Sequence, residues 1–185
     1  VNLINNQALD LPPSKNREHG IGLIEILIAV VIMSMGFLAA ARMQVEGMRF
    51  SQSAYYQSQA HFMANDMIDR MRSNIQGVIE QEYAGMTTTD GITKPNCSSA
   101  NNPCTPSVIA DLDRWEWSAS LHPLANATGF IPALYSPASG VITRIVVPDN
   151  DQAQRYSIVM SWTELVQGNN ENQSLNIQFE LETRE

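Results

Sequence analysis

Between Ile21 and Ala41 the chain runs 21 residues with a single charge, Glu25. A helix needs about 20 apolar residues to cross the hydrocarbon of a bilayer. That run therefore demands lipid, or an equally dry protein interior, before any other residue is weighed. It argues against a purely cytosolic enzyme. The whole chain, at 185 residues, is about one domain's worth and long enough to bury a core. Its net charge is −8, from 11 Lys and Arg against 19 Asp and Glu. A general nucleic-acid binder needs the opposite sign to neutralise phosphates. The 44% hydrophobic share also argues against a disordered chain.

The flanks of the run say what kind of apolar segment it is. A secretory signal has a short apolar stretch followed by a small-residue cleavage site. Here the polar segment Val1–His19 comes first, and the run is longer than an ordinary signal core. Ala39-Ala40-Ala41 imitates a signal-peptidase site, but the acid within the run and the helical periodicity beyond it argue against a cut there. Lys15 and Arg17 before the run and Arg42 and Arg49 after it leave the charge rule for orientation close to a tie. The cysteines break it. Cys97 and Cys104 stand seven positions apart in the polar loop TKPNCSSANNPCTPS. Such a pair closes a small loop in an oxidising compartment. A zinc site would need two more ligands, and His19, His61 and His122 are all distant in sequence. A Cys97–Cys104 disulfide is the expectation, and it puts the bulk of the protein outside the cytoplasm.

Glu25 is the most informative residue. An ionised carboxylate near the start of a membrane helix costs about 3 kcal/mol unless it is paired or interfacial. Taken alone, it reads as an interfacial acid favoured by the positive end of the helix dipole. Its surroundings are His19-Gly20-Ile21-Gly22-Leu23-Ile24-Glu25, and then Ile26-Leu27-Ile28-Ala29-Val30-Val31-Ile32. A polar, basic leader ends in Gly20, an apolar residue follows, and the acid is the fifth residue after the glycine.

This constellation resembles the class III signal of type IV prepilins and pseudopilins. The resemblance implies a cut by prepilin peptidase between Gly20 and Ile21 on the cytoplasmic face, and methylation of the new Ile21 amine. It implies that Glu25 pairs with the N-terminal amine of a neighbouring subunit, as an assembly residue and not a catalyst. The domains would then be a cleaved leader, 1–20, a transmembrane and filament-core segment, 21–42, and a periplasmic head, 43–185. Ile21 departs mildly from the Phe or Met common after the cut.

Beyond Arg42 the pattern becomes amphipathic. Ala60, Ala64, Met67, Met71, Ile75 and Val78 recur at three- and four-residue steps, with Asn65, Asp66, Asp69, Arg70, Arg72 and Asn74 mostly between them. A helix from about Gly22 to Gly77 would be roughly 80 Å long. Gly36 and Gly47 are its weak points. The proline that kinks many major pilins near this region is absent. Seven methionines, Met33, Met35, Met43, Met48, Met63, Met67 and Met71, read as flexible packing and not as a metal box.

In the head, Gln81–Pro106 reads as loop. Ser107–Leu121 reads as a helix with Val108, Leu112, Trp115 and Ala119 on one face. Trp115-Glu116-Trp117 also permits a strand. Val141–Val147, Arg155–Trp162 and Ser174–Thr183 read as strands, and a leading strand near Phe130–Tyr135 would make four. The loops between the last three are Pro148–Gln154 and Glu164–Gln173. The predicted fold is α+β and pilin-like, a long N-terminal α-helix on a roughly four-stranded antiparallel sheet. The order of helix, cysteine loop, Asp111-Leu112-Asp113-Arg114-Trp115 helix and strand ending in Trp162 is similar to the PilV-type minor pilins.

Enzyme signatures are missing: no nucleophile elbow, P-loop, HExxH or GxGxxG occurs. His61 and His122 read as structural or water-facing. Asp149-Asn150-Asp151 offers oxygens for calcium but lacks the rest of an EF-hand loop, so a hairpin turn is favoured. Asn126-Ala127-Thr128 is a glycosylation triplet that also arises by chance. No activity, cofactor or metal is assigned. The resemblance implies prepilin peptidase, other minor pilins, the major pilin, inner-membrane lipid and a tip adhesin as partners. It places the protein in the bacterial inner membrane and the pilus, at low copy, priming assembly near the tip in support of adhesion or twitching motility. The rivals are a pseudopilin of a type II secretion system and a singly anchored periplasmic binding domain. A DNA-uptake role meets only Lys94, Arg114, Arg144, Arg155 and Arg184 after Gln81, too few for phosphate binding.

Overall fold

A computed structural model describes residues 22–88, 92–96, 104–123, 130–135, 137–146, 153–166 and 169–183. Gly20, Ile21, Cys97, Asn126–Thr128 and Asp149–Asp151 lie outside the described residues. The elements are α1 (Leu23–Ser73), α2 (Ile75–Ile79), α3 (Pro106–Leu121), β1 (Ser139–Ile145), β2 (Ala153–Val166) and β3 (Asn169–Glu182). The chain divides into two units, Val1–Val45 and Glu46–Glu185, and α1 contributes to both.

In the first unit α1 is helical without interruption, passing through Gly36 as it later passes through Gly47. Nothing in Leu23–Val45 breaks a helix, because proline is absent and the apolar residues satisfy their backbone groups internally. Every described residue of this unit is exposed, with Leu23, Phe37 and Leu38 among the barest. Apolar on all sides, the segment is long and apolar enough to cross a membrane.

In the second unit the same helix acquires a buried side. Ala60, Met63, Ala64, Met67, Ile68 and Met71 are buried at three- and four-residue steps, while His61, Phe62, Asn65, Asp66 and Asp69 between them are exposed. Met63, Met67 and Met71 thus serve as core packing, as expected. The helix stops earlier than the periodicity suggests. Asn74 interrupts it, and its side-chain oxygen caps α2 by accepting from the Gly77 amide at 3.4 Å. Asn74 is itself buried, not a water-side residue of a longer helix.

At the start of α3, Thr105 Oγ1 accepts from the Val108 amide at 3.4 Å and Pro106 occupies the first turn. The strand alternative at Trp115–Trp117 is overturned, and so is the choice of face. Ala110, Asp113, Trp117 and Leu121 are buried, whereas Val108, Leu112, Trp115 and Ala119 are only half-buried. Trp117 takes its place because Gly140 on β1 has no Cβ. A methyl there would lie 2.4 Å from the indole Cζ2.

The sheet is antiparallel in the order β1-β2-β3. Ser139–Ile145 pairs with Ser161–Arg155, and Ala153–Val166 pairs with Glu182–Asn169. There are three strands among the described residues, not four. Residues 130–135 form none, and their Ala133 amide donates to the Ser120 carbonyl near the end of α3. Pro132 cannot donate to a ladder, and Leu134 is fully buried as a plug and not as part of a strand. The β2–β3 ladder also runs farther than expected. Val166 pairs with Asn169, so most of the predicted loop Glu164–Gln173 is paired backbone.

The core joins α1 to Trp117 and Leu121 of α3 and to Tyr156, Ile158, Met160 and Trp162 of β2. These four β2 residues are the face that alternation predicted. Their neighbours on β3 face the same way, but Leu175, Ile177 and Phe179 are only half-buried.

Candidate functional site

The first candidate lies at the start of α1. The Glu25 and Ile26 amides donate to the Gly22 carbonyl at 2.9 and 3.4 Å, so the acid sits in the opening turn. There its charge meets the positive end of the helix dipole. The side chain is exposed and forms no ion pair among the described residues. The first basic residue along α1 is Arg42, far beyond the reach of one helical turn. An acid surrounded by Leu23, Ile24, Ile26 and Leu27 has to find its cation outside its own segment.

Within the second unit, α1 also carries an apolar stripe on the side away from the core. Met48, Tyr55 and Phe62 are 66%, 56% and 69% exposed. Steps of seven residues return to nearly the same helical face. Among the described residues these side chains are left largely uncovered, with Tyr55 meeting only the edge of Tyr56.

The third candidate was not legible in the sequence. Asn74 Nδ2 donates to Tyr83 Oη at 3.0 Å and to the Pro106 carbonyl at 2.8 Å. Tyr83 Oη in turn donates to Asp113 Oδ2 at 2.6 Å. Arg70 reaches Asp113 Oδ1 at 3.3 Å, pairs with Glu116, and holds Asp66 Oδ2 at 2.8 Å. Burial pushes the Asp113 carboxyl above its ordinary pKa, against the opposing pull of Tyr83 and Arg70. Burial, and then the bond to Asp113, push the Tyr83 phenol up as well. For Arg70 burial works downward, but its bonds to Asp66 and Glu116 win and hold the guanidinium above its ordinary value. The cluster ties the end of α1 to α2 and α3. Its polar groups are engaged by one another across three elements, which is the arrangement of a clamp. The one sequence signal was an acid within the stripe Ala110-Asp113-Trp117-Leu121, where an apolar residue would be ordinary.

Other places hold less chemistry. An open groove of about 190 Å³ runs between Arg49–Tyr56 and Glu164–Leu165. Its buried acid, Glu164, is engaged by the Trp162 indole N–H at 2.6 Å. His122 faces Thr88 Oγ1 at 3.2 Å and His61 is exposed. Among the described residues no three His, Cys, Asp or Glu side chains gather as for a metal. Cys104 stands exposed just ahead of the α3 cap.

Residues 15–41, which include Gly20, Ile21 and Glu25, match the family model described as the prokaryotic N-terminal methylation motif. Residues 42–115 match the Tt1218-like model, described as type IV pilin Tt1218. That second span contains the buried half of α1 and the whole Arg70–Asn74–Tyr83–Asp113 clamp. No curated protein and no solved structure matches the chain.

Proposed function

We propose that the chain, whose residues 15–41 match the methylation motif and whose residues 42–115 match the pilin model, is a type IV minor pilin of the PilV type. Processing by prepilin peptidase, membrane anchoring and association with a pilus follow from the motif and the apolar helix. The cut falls between Gly20 and Ile21, and the Ile21 amine is methylated. The head then faces the periplasm, closed by a Cys97–Cys104 disulfide in front of α3. At low copy the subunit joins other minor pilins, primes filament growth near the tip and supports adhesion or twitching motility. A pilin builds a filament, so the role is structural and no reaction is assigned to it.

The observation that carries this reading is Glu25, exposed and without an ion pair among the described residues, in the first turn of a helix that is apolar on every side. In lipid an isolated carboxylate and an isolated amine are each expensive. Brought together they offset much of that cost, and one geometry is favoured over its neighbours. The pairing therefore sets the register of one subunit on the next. A subunit with this acid has a neighbour whose amine it meets, so it does not end the stack. The exposed stripe of Met48, Tyr55 and Phe62 gives the helix a further face for neighbours.

The test is intact mass and N-terminal peptide mapping of the protein from membranes and from sheared pili, with and without prepilin peptidase. A chain beginning at methylated Ile21, present in pili far below the major subunit, is the expected result. An uncut chain starting near Val1 in peptidase-positive cells overturns the reading. A chain that is cut and methylated but absent from pili assigns the protein to a secretion pseudopilus.

A further inference from the structure

The Arg70 cluster pairs its charges within the chain, and Thr87 covers the middle of the β1 edge by bridging Val141. The groove between α1 and the end of β2 leaves its charges open. Two adjoining hollows of about 190 and 210 Å³ share Arg49, Ser53, Glu164 and Leu165 and make one trough. Glu46 lines one end of it and Tyr135 the other. Arg49 and Glu46 are exposed, and neither has an ion pair among the described residues. Glu164 lies on the α1 side of β2, because two-residue alternation puts it on the face of Trp162. The Trp162 indole N–H donates to its Oε1 at 2.6 Å, which fixes the carboxylate in the wall of the trough, and no described residue donates to Oε2. One base and two acids thus face the same trough without neutralising one another. A ligand matched to them carries both signs, an anion for Arg49 and a cation with N–H donors for Glu164.

A second observation says where such a ligand comes from. Glu46 and Arg49 follow Ala41, the end of the apolar run, by five and eight residues on one unbroken helix. That is a rise of about 8 and 12 Å. Headgroups occupy roughly 5–8 Å beyond the hydrocarbon of a bilayer, and an arginine side chain reaches back toward them. Phe50, Leu165 and Tyr135 at the trough are 79%, 58% and 51% exposed. Apolar and aromatic side chains around a charged centre suit a membrane–water interface.

We propose that this trough binds the headgroup of an aminophospholipid, phosphate and primary ammonium together, taken from the leaflet on the head's side of the bilayer. Arg49 pairs with the phosphate, the ammonium donates to Glu164 Oε2, and Glu46 adds a second negative charge at the open end. Phe50 and Leu165 lie against the glycerol and the first acyl carbons. An acidic lipid has no cation for the glutamates, and a choline headgroup has no N–H to donate. The inference rests on the membrane anchoring of the reading above, but not on cleavage after Gly20 or a place in a pilus, so lipid binding and N-terminal mapping fail separately.

The test uses the full chain in dodecylmaltoside micelles, titrated with dihexanoyl phosphatidylethanolamine, phosphatidylglycerol or phosphatidylcholine, and with free phosphoethanolamine. Binding is read by NMR from the Trp162 indole N–H resonance, identified by its loss in Trp162→Phe, because that N–H is bonded to the carboxylate the ammonium meets. Phosphatidylethanolamine should shift this resonance and bind at least about tenfold tighter than the other two lipids, the worth of one charge-assisted bond. The exposed variant Arg49→Gln should weaken it about tenfold. Glu164→Gln keeps an acceptor for the indole and should bring phosphatidylethanolamine and phosphatidylglycerol to within about twofold of each other. Tightest binding of phosphatidylglycerol, equal binding of all three lipids, or a Trp162 resonance that does not move overturns the proposal. Free phosphoethanolamine binding as tightly as the lipid gives the trough to a soluble ligand and overturns it too.

Discussion

One helix, α1, lives in two environments. Met33 and Met67 are both methionines of this helix, yet Met33 is 62% exposed and Met67 is fully buried. The difference is in the residues between. Around Met67 polar side chains occupy the steps that face away, so one stripe is apolar and the rest of the chain supplies its cover. Around Met33 there is no such alternation, and no single face can be covered by a head on one side. The first region depends on a solvent or partner that the chain lacks. The second is satisfied at home.

The contrast can be broken most severely at Glu25. If the first region works through pairing with a neighbour, Glu25→Ala should cut incorporation into sheared pili about a hundredfold, in line with about 3 kcal/mol for stripping one partner from a buried pair. Head unfolding in detergent should not change. Equal incorporation of variant and parent removes the pairing from the account.

Next comes the direct exchange of the two methionines. Met67→Ala should destabilise the head by about 3 kcal/mol, as large-to-small core changes do. Met33→Ala should leave head unfolding within about 0.5 kcal/mol. Urea unfolding followed by tryptophan fluorescence reports both, since Trp117 and Trp162 lie in the core.

How tightly the second region is packed is sharpened by Gly140→Ala. The added methyl meets the rigid Trp117 ring at 2.4 Å, so strand or indole must shift. A loss of about 2 kcal/mol is expected. A neutral result in the same unfolding assay means that α3 rides loosely on β1.

The smallest effect concerns the clamp. Burial raises the Asp113 carboxyl, so the folded chain holds its proton to higher pH than the unfolded chain does. The sign follows from linkage: this contribution to stability is greatest below the ordinary carboxylate range and falls as pH rises through the raised value. Asp113→Asn should flatten that part of the stability profile, from the ordinary carboxylate range upward. Unfolding at a series of pH values in parent and variant checks it. A slope that persists in the variant belongs to another group.

The legible parts of the molecule were those where chemistry repeats at a fixed period. Ala60–Met71 and Tyr156–Trp162 announced a helix stripe and a strand face because burial on one side leaves a mark at every third, fourth or second residue. The acid at Glu25 was legible for the opposite reason, as one exception to an unbroken pattern. The hidden parts were those where residues distant in sequence meet. Arg70 and Asn74 sit among polar neighbours and look water-facing until α3 brings Asp113 and Glu116 to Arg70 and the Pro106 carbonyl to Asn74. Phe130–Tyr135 has the composition of a strand, but the bond from Ala133 to Ser120 ties it to α3 instead. The ladder from Glu164 to Gln173 escaped because its β3 side, Asn169–Gln173, is polar on both faces, so no alternation marks it.

The bridge between Thr87 and Val141 fixes an upper bound on stoichiometry. With the middle of one sheet margin already taken by its own chain, the sheet can accept a strand on one side and cannot pass the pairing on through the other. A strand added at the other margin would therefore cap the sheet.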